Sequence, residues 1–322
     1  MNYILKFITI AIITFYSQNS LYALESNWGI SEFSKVRLIS PLSHNNNQNQ
    51  IYVGLEYQMD PGWKTYWKSP GDAGFAQEIS WENSSNIKNL EIKWPTPIEF
   101  EILGLKSIGY KDKVIFPLII DLIDPNKKTQ INISTNYLVC KDICLPGKGN
   151  LQLDIPSGKA ISSKYFFDLE KSISKLPQKN INLEAISNID IETKKNNEFI
   201  IVNVEASTEL IFNNPKIYLH TSYGLPFIEP ILEYSLDYKT LKAFFYFNKE
   251  LINSQFMDIS VLIKDKKHNF EFNSNTKINQ SSNLFFSDKI ITFLFIALIG
   301  GLILNVMPCV FPVLSIKLMS VL

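Results

Sequence analysis

The sequence predicts a mainly β protein with two consecutive antiparallel β-sandwich domains followed by one transmembrane helix. Three observations lead to this fold class. Apolar and polar residues alternate with a period of two over many short stretches, as in half-buried strands. Turn clusters rich in proline and glycine separate these stretches. A long run without charged residues lies near the C-terminus. Short strands at such spacing are typical of immunoglobulin-like sandwiches.

Composition and charge exclude other classes of protein. The chain of 322 residues is 46% hydrophobic and 19% charged, which argues against wholesale disorder. Its length leaves room for about two domains. Lysine plus arginine equals aspartate plus glutamate, at 31 each, and Arg37 is the only arginine. No nucleic-acid partner is expected, because arginine is the usual bidentate reader of phosphate and guanine.

Residues 1–23 have the pattern of a signal peptide. Lys6 supplies the positive charge, residues 7–16 are apolar apart from two threonines, and Ala23 offers a small residue for cleavage. The alternative is a retained membrane anchor. In both cases we expect the chain from residue 24 onward to lie outside the cytosol, where disulfides persist.

Residues 24–157 are predicted to form the first β-sandwich. Alternation is clearest over residues 51–59, 131–139 and 151–155. Proline and glycine turns separate these stretches, and the Pro-Ser-Gly sequence at 156–158 marks the boundary.

A connecting segment, 158–179, leads to a second β-rich domain, 180–280. Residues 163–176 are predicted to form a helix with a partly apolar face, which Pro177 ends. In the second domain, residues 257–263 alternate cleanly and predict a strand. This domain contains no cysteine and offers no chemistry of its own.

A polar linker is predicted over residues 273–283, and residues 281–289 lead into the membrane segment. Residues 290–316 contain no charge, and a helix needs about 20 apolar residues to cross a bilayer. We therefore predict a transmembrane helix there, the less favoured alternative being a buried core helix. Lys289 and Lys317 flank both ends, so charge alone does not orient it. An exported preceding region requires it to run from outside to inside.

Cys140 and Cys144 form the first candidate site. Strand patterns precede and follow them, so the two cysteines are predicted to lie beside a hairpin turn, near the surface and within disulfide reach. Tyr137 is a candidate shield. The small ring that such a disulfide closes stabilises the fold by only about 2 kcal/mol. The residues alone leave a redox role and a structural role evenly balanced. Copper(I) binding by two thiolates is less favoured, because no histidine or methionine lies within the motif.

Nothing in this motif activates a thiolate strongly. It does not open a helix, and Asp142 offsets the charge of Lys141. A weakly activated pair suits a relay disulfide that waits for a more nucleophilic partner.

Cys309 is the second candidate site. Pro308 and Pro312 bracket it within the predicted membrane helix. Each proline removes a helical hydrogen bond, which is tolerated at bilayer depth only where protein or a water-filled cavity covers the freed groups. A small apolar filler is the ordinary role of a membrane cysteine, but this pattern favours a helix opened around a reactive thiol.

Taken together, these motifs resemble the DsbD family of transmembrane thiol–disulfide interchange proteins, especially the branch with a large two-part exported region that includes the ScsB-like suppressors of copper sensitivity. The resemblance spans about 60 to 315. The residues that carry it are Pro61-Gly62-Trp63-Lys64-Thr65-Tyr66-Trp67, Ser69-Pro70-Gly71-Asp72-Ala73-Gly74, Trp94-Pro95, Gly109-Tyr110, the motif from Cys140 to Pro146, and Met307-Pro308-Cys309-Val310-Phe311-Pro312-Val313-Leu314-Ser315. Within the tryptophan-rich stretch, Trp63 and Trp67 are interpreted first as packing residues, with peptide binding as an alternative.

The resemblance implies an electron relay at the inner membrane, with residues 24–289 in the periplasm. Cys140 and Cys144 would be the exported relay pair and Cys309 the first membrane cysteine. The partners would be a thioredoxin-like electron-donor domain and periplasmic disulfide-containing proteins, and no cofactor would be needed. The remaining membrane helices, the second membrane cysteine and the Cys-Xaa-Xaa-Cys domain of the family are not in this sequence, so this chain alone is expected not to complete the electron path.

Two other classes of function remain open. One is a membrane-tethered, non-catalytic β-sandwich binding module with a structural disulfide, and the other is a copper-handling protein. A reduction potential near about −200 mV would favour the relay, and one below about −300 mV the structural disulfide. Copper handling would require stoichiometric Cu(I) binding to the reduced pair.

Overall fold

Antiparallel strands dominate the structure of the chain, a computed structural model. The prediction of a mainly β fold is therefore confirmed. The structure describes residues 24–71, 74–102, 104–179, 186–196, 198–221, 228–252, 254–266, 269–280 and 295–301.

Two six-stranded sheets, here called the first sheet pair, enclose one hydrophobic core. One sheet contains β1 (Leu24–Glu25), β2 (Gly29–Ser31), β3 (Ser34–Ser40), β4 (Gln50–Met59), β7 (Ile87–Ile92) and β10 (Lys113–Leu122). The other contains β5 (Lys64–Gly71), β6 (Glu78–Ser80), β8 (Ile98–Ile102), β9 (Leu105–Lys111), β11 (Thr129–Cys140) and β12 (Cys144–Ile155). Their strand orders are β1-β3-β4-β10-β7, with β2 on β3, and β12-β11-β5-β9-β8, with β6 on β11.

Alternating side chains build the core of the first sheet pair. On β4, Val53, Leu55 and Tyr57 are fully buried, as the period of two predicts. From the facing sheet, Tyr137 of β11 meets Tyr57 edge to face, with ring centroids 4.8 Å apart. Trp67 of β5 lies in the same core. Because β5 contributes to this core with one face, its opposite face is available for the site.

Helix α1 (Phe166–Ile173) packs against β10. Its buried residues are Leu169 and Ser172, and the Ser172 hydroxyl donates to the backbone carbonyl of Ile115. The helix predicted over residues 163–176 is thus present, with narrower limits.

Two further sheets, here called the second sheet pair, enclose a separate core. The five-stranded sheet contains β13 (Asn188–Lys195), β14 (Phe199–Ser207), β16 (Ile231–Tyr234), β17 (Thr240–Asn248) and β20 (Asn279–Gln280), in the order β16-β17-β14-β13-β20. The three-stranded sheet contains β15 (Lys216–Thr221), β18 (Phe256–Lys264) and β19 (Asn269–Lys277), in the order β15-β18-β19. A 3-10 turn, Lys249–Leu251, follows β17.

The predicted start of the linker, at residue 273, is wrong. Strand β19 continues to Lys277, and β20 follows directly. β19 is the edge strand of its sheet, so the polar side chains of its second half, residues 273–277, are exposed or half-buried while its backbone still pairs with β18.

The two-sandwich, immunoglobulin-like description and its domain boundaries stay predictions. Residues 1–23 and 281–289 lie outside the described residues, as does most of the predicted membrane segment 290–316. Residues 295–301 of that segment are helical. Within the part of the chain that the structure describes, no helix is long and apolar enough to cross a bilayer.

Candidate functional site

A long β-hairpin positions the first cysteine pair. Strands β11 and β12 pair antiparallel without interruption, from Thr129 opposite Ile155 to Cys140 opposite Cys144. The connecting turn is closed by a hydrogen bond from the Lys141 amide to the Ile143 carbonyl (3.0 Å). The two cysteines therefore face each other because the strand register places them there.

Cys140 and Cys144 form a disulfide, with their Cα atoms 4.2 Å apart. The prediction that the pair lies within disulfide reach is confirmed. The two residues differ in environment, since Cys140 is fully buried and Cys144 is exposed. An approaching thiol thus has a route to Cys144, whereas the protein covers Cys140.

Tyr66 of β5 covers the buried sulfur. Its hydroxyl donates a hydrogen bond to Sγ of Cys140 at 3.0 Å and lies 3.6 Å from Sγ of Cys144. Burial raises the pKa of Tyr66 to about 12. The phenol therefore keeps its proton throughout the physiological pH range and can donate to whatever charge develops on either sulfur.

Tyr137, the shield suggested by the sequence, has a different role. It is three residues from Cys140, so the two side chains point to opposite faces of β11. The Tyr137 ring lies in the core between the sheets, with its hydroxyl 3.1 Å from that of Ser34. The prediction that Tyr137 shields the disulfide is therefore wrong.

A small apolar cluster covers the disulfide. It lies on the outer face of the sheet that contains β5 and β11. Tyr66, Ile102 and Cys140 are its buried members, and Phe100 and Leu138 pack against it. The rings of Tyr66 and Phe100 have centroids 5.8 Å apart. Because β9 pairs with β5 and β8 pairs with β9, the β8–β9 hairpin holds this cover in place.

Register explains how Tyr66 reaches a cysteine that lies 74 positions further along the chain. On one side of β5, Lys64 and Thr65 pair with the end of β11. On its other side, Tyr66 pairs with Gly109 of β9. The Tyr66 carbonyl also accepts a hydrogen bond from the side-chain amide of Gln77 (2.5 Å).

Trp63 and Trp67 are packing residues, which agrees with their first interpretation. Trp63 is buried and stacks on Phe33 with ring centroids 4.3 Å apart. Trp67 is also buried, 6.2 Å from the ring of Tyr218 in β15. Neither ring offers a free face for a peptide.

Cys309 lies outside the described residues, so the structure brings together only two of the three sequence-predicted site residues. Among the residues that are described, no cluster of three or more histidine, cysteine, aspartate or glutamate side chains is arranged to hold a metal ion.

Comparison with known proteins agrees with the resemblance found in the sequence. Residues 35–156 match the model of the family described as the N-terminal part of the thiol:disulfide interchange protein DsbD. This range includes Tyr66, Cys140 and Cys144. No curated protein matches the chain.

Among solved structures, the chain is similar to the crystal structure of the N-terminal periplasmic domain of ScsB from Proteus mirabilis. The TM-score is 0.61 and the sequence identity is 22%. The match covers 81% of this chain and 100% of that chain. At this identity the similarity shows a shared fold, and it extends well beyond the family match.

Proposed function

From the match of residues 35–156 to the DsbD N-terminal family, we propose that this chain is a thiol–disulfide exchange relay. It passes reducing equivalents from the inner membrane to disulfide-containing proteins of the periplasm and so acts as a protein-disulfide reductase. The observation that carries the proposal is the Cys140–Cys144 disulfide, which exposes one sulfur and holds the other against the hydroxyl of Tyr66.

Exposure assigns different roles to the two cysteines when the pair is reduced. A donor thiolate attacks Sγ of Cys144 and forms a mixed disulfide with it. The Cys140–Cys144 bond breaks, and its electron pair leaves on Sγ of Cys140. The Tyr66 hydroxyl, already 3.0 Å away, donates to this developing thiolate. Hydrogen bonds to charged groups are the stronger ones, so this contact favours the leaving step.

A second thiol of the donor completes the transfer. It attacks the donor's own sulfur in the mixed disulfide and releases Cys144 as a thiolate, which takes a proton from solvent. The Cys140 thiolate left by the first step also takes a proton from solvent, which receives the two protons of the donor thiols. The donor ends as a disulfide, and the cysteine pair has gained two electrons and two protons. In the opposite direction, Cys144 attacks the disulfide of a periplasmic protein, and Cys140 resolves the mixed disulfide.

A thioredoxin-like domain suits the donor role. Such domains carry two thiols that act in this order, and residues 141–144 at the turn of the β11–β12 hairpin are exposed. Ile143 at this tip is 57% exposed, which gives the hairpin an apolar contact beside Cys144.

The relay is tested by trapping. A reduced thioredoxin-like donor without its second cysteine should form a covalent complex with the wild-type chain through Cys144, captured by acid quenching and alkylation before the Cys140 thiol releases the donor. A Cys140→Ala, Cys144→Ala double variant should fold almost normally, because the small ring contributes only about 2 kcal/mol, and should form no complex. Gel shift and peptide mass spectrometry identify the linked residue. A wild-type chain that forms no mixed disulfide with this donor, or equal trapping by the double variant, would replace the relay with a structural disulfide.

Residues 290–316 are proposed to anchor the chain in the inner membrane, with residues 24–289 in the periplasm. Support comes from the uncharged run in the sequence and from the periplasmic origin of the similar ScsB domain. Cys309 would then be an unpaired thiol at bilayer depth, out of reach of the exported pair.

Spheroplasts provide a test of this topology. After mild reduction, a membrane-impermeant maleimide should label Cys140 or Cys144 without detergent, and Cys309 only after detergent is added. Labelling of Cys309 in intact spheroplasts would contradict the proposed membrane position.

A further inference from the structure

Strand β5 contacts both the disulfide and the second sheet pair. Tyr66 contacts the cysteines, and each of the next three residues of the strand contacts the second sheet pair. The ring of Trp67 lies 6.2 Å from that of Tyr218 in β15. The Ser69 hydroxyl donates to the Leu219 carbonyl of the same strand (3.3 Å). A shift of β5 against the second sheet pair would therefore also shift Tyr66 against Cys140.

A nearly enclosed charged cluster lies at this contact. The Lys68 ammonium forms an ion pair with Glu271 of β19 and donates to the hydroxyl of Ser260 in β18 at 3.1 Å. Ser260 in turn donates to Glu271 at 2.7 Å. The side chains of Lys68 and Glu271 are only 15% and 9% exposed. We call Lys68, Glu271 and Ser260 the interface cluster.

The interface cluster constrains position more strictly than apolar packing does. An ion pair that is largely removed from water is favourable only when each charge meets its partner in good geometry. Lys68 has two partners on two neighbouring strands of the second sheet pair, so it cannot slide along either strand without losing one of them.

The second sheet pair also holds the hairpin that covers the site. The Lys264 ammonium donates to the Pro97 carbonyl just before β8 (3.0 Å). Lys216 pairs with Glu99 of β8 at 3.0 Å. A third link, between Lys106 of β9 and Glu229, is exposed on both sides and adds little, since exposed pairs contribute only weakly.

We infer that the second sheet pair positions the redox site: the interface cluster fixes β5 so that the Tyr66 hydroxyl stays against the Cys140 sulfur. Lys68, Glu271 and Ser260 are positioning residues, because they act through Tyr66 and do not touch the reacting sulfurs. This inference rests on the proposed relay function and gives the second β-rich region, which carries no cysteine, a role in it.

The test measures reduction of the Cys140–Cys144 disulfide by dithiothreitol in the whole chain, purified in detergent. Peptide-resolved alkylation after quenching gives the rate for this pair alone. Glu271→Gln keeps a similar volume and its hydrogen bond from Ser260 but leaves Lys68 without a counter-charge. We expect the rate to fall roughly threefold, as part of the Tyr66 contact is lost. Ser260→Ala is the milder second variant, and its reduction rate should fall less. Lys106→Gln, which removes the exposed link, is the matched control and should retain the wild-type rate.

The discriminating measurement repeats Glu271→Gln in a Tyr66→Phe background. If the interface cluster acts through the Tyr66 hydroxyl, the second substitution adds no further loss, so the two effects are not additive. A Glu271→Gln rate equal to wild type, or an equal loss with and without the hydroxyl, overturns the inference. A wild-type disulfide that dithiothreitol reduces but a protein donor does not would instead count against the proposed relay.

Discussion

At the scale of single residues, the chemistry depends on the different surroundings of two sulfurs and on one phenol. The sequence identifies Cys140 and Cys144, because their spacing and flanking strand patterns are local. It does not identify Tyr66 as their neighbour. The contact depends on the pairing of β5 with the far end of β11. Tyr66 also lies in a tryptophan-rich stretch whose aromatic residues are interpreted from sequence as packing residues. Tyr137 is closer in sequence, but strand alternation turns it into the core.

Replacement of Tyr66 by phenylalanine tests the role of its hydroxyl. The ring remains to fill the apolar cluster, so the fold should be unaffected. Loss of a hydrogen bond to the leaving thiolate should slow reduction of the disulfide about tenfold. With a pKa raised by burial to about 12, Tyr66 stays protonated at working pH. The ratio of the wild-type reduction rate to that of the variant should therefore be constant from about pH 6 to 9. Stopped-flow reduction by dithiothreitol measures both, and equal rates would remove Tyr66 from the mechanism.

At the scale of elements, the close approach of β5 and β9 decides where Tyr66 stands. A Cβ on Gly109 would lie 1.9 Å from the Thr65 carbonyl oxygen and 2.8 Å from Cα of Tyr66. Only glycine permits this pairing. The strongly alternating strands, such as β4 and β11, are predictable from sequence because one face is buried. The β8–β9 cover and the polar edge strand β19 are not, since their pattern reflects long-range pairing.

A Gly109→Ala variant should lose on the order of 3 kcal/mol of unfolding free energy, because β5 and β9 must separate. It should also slow reduction of the disulfide by moving Tyr66. Ser107→Ala provides the control in the same strand. Ser107 is buried, and its hydroxyl has no partner among the described residues, so its loss should cost little. Urea denaturation compares the two variants, and similar stabilities would contradict the close-approach argument.

At the scale of the whole molecule, partly buried polar groups occupy the contact between the sheet pairs. His220 of β15 lies beside Trp67, with ring centroids 6.3 Å apart. Burial, with the nearby charge of Lys68, lowers the pKa of His220 to about 4. Neither the burial nor these neighbours follow from the sequence, in which the second β-rich region shows no chemistry. They arise from surfaces that are far apart along the chain.

His220 predicts a pH dependence of stability. Its ordinary pKa is 6.5 and its folded pKa is about 4, so the unfolded chain binds the proton first as pH falls. Stability is fully retained above about pH 6.5 and decreases by roughly 3 kcal/mol as pH falls toward 4. Urea midpoints across this window should decline more steeply for wild type than for His220→Gln. Parallel curves would show that His220 takes up its proton equally in both states.

The direct register of Cys140 opposite Cys144 also sets the lifetime of any covalent complex with a partner. The β11–β12 ladder is formed by backbone pairing, so opening of the disulfide removes none of its hydrogen bonds. After exchange at Cys144, the liberated thiol of Cys140 therefore stays beside the new bond, at an effective concentration far above that of any thiol in solution. Attack from this position releases the partner quickly. For the proposed relay, short-lived complexes leave the cysteine pair free to react with its next partner.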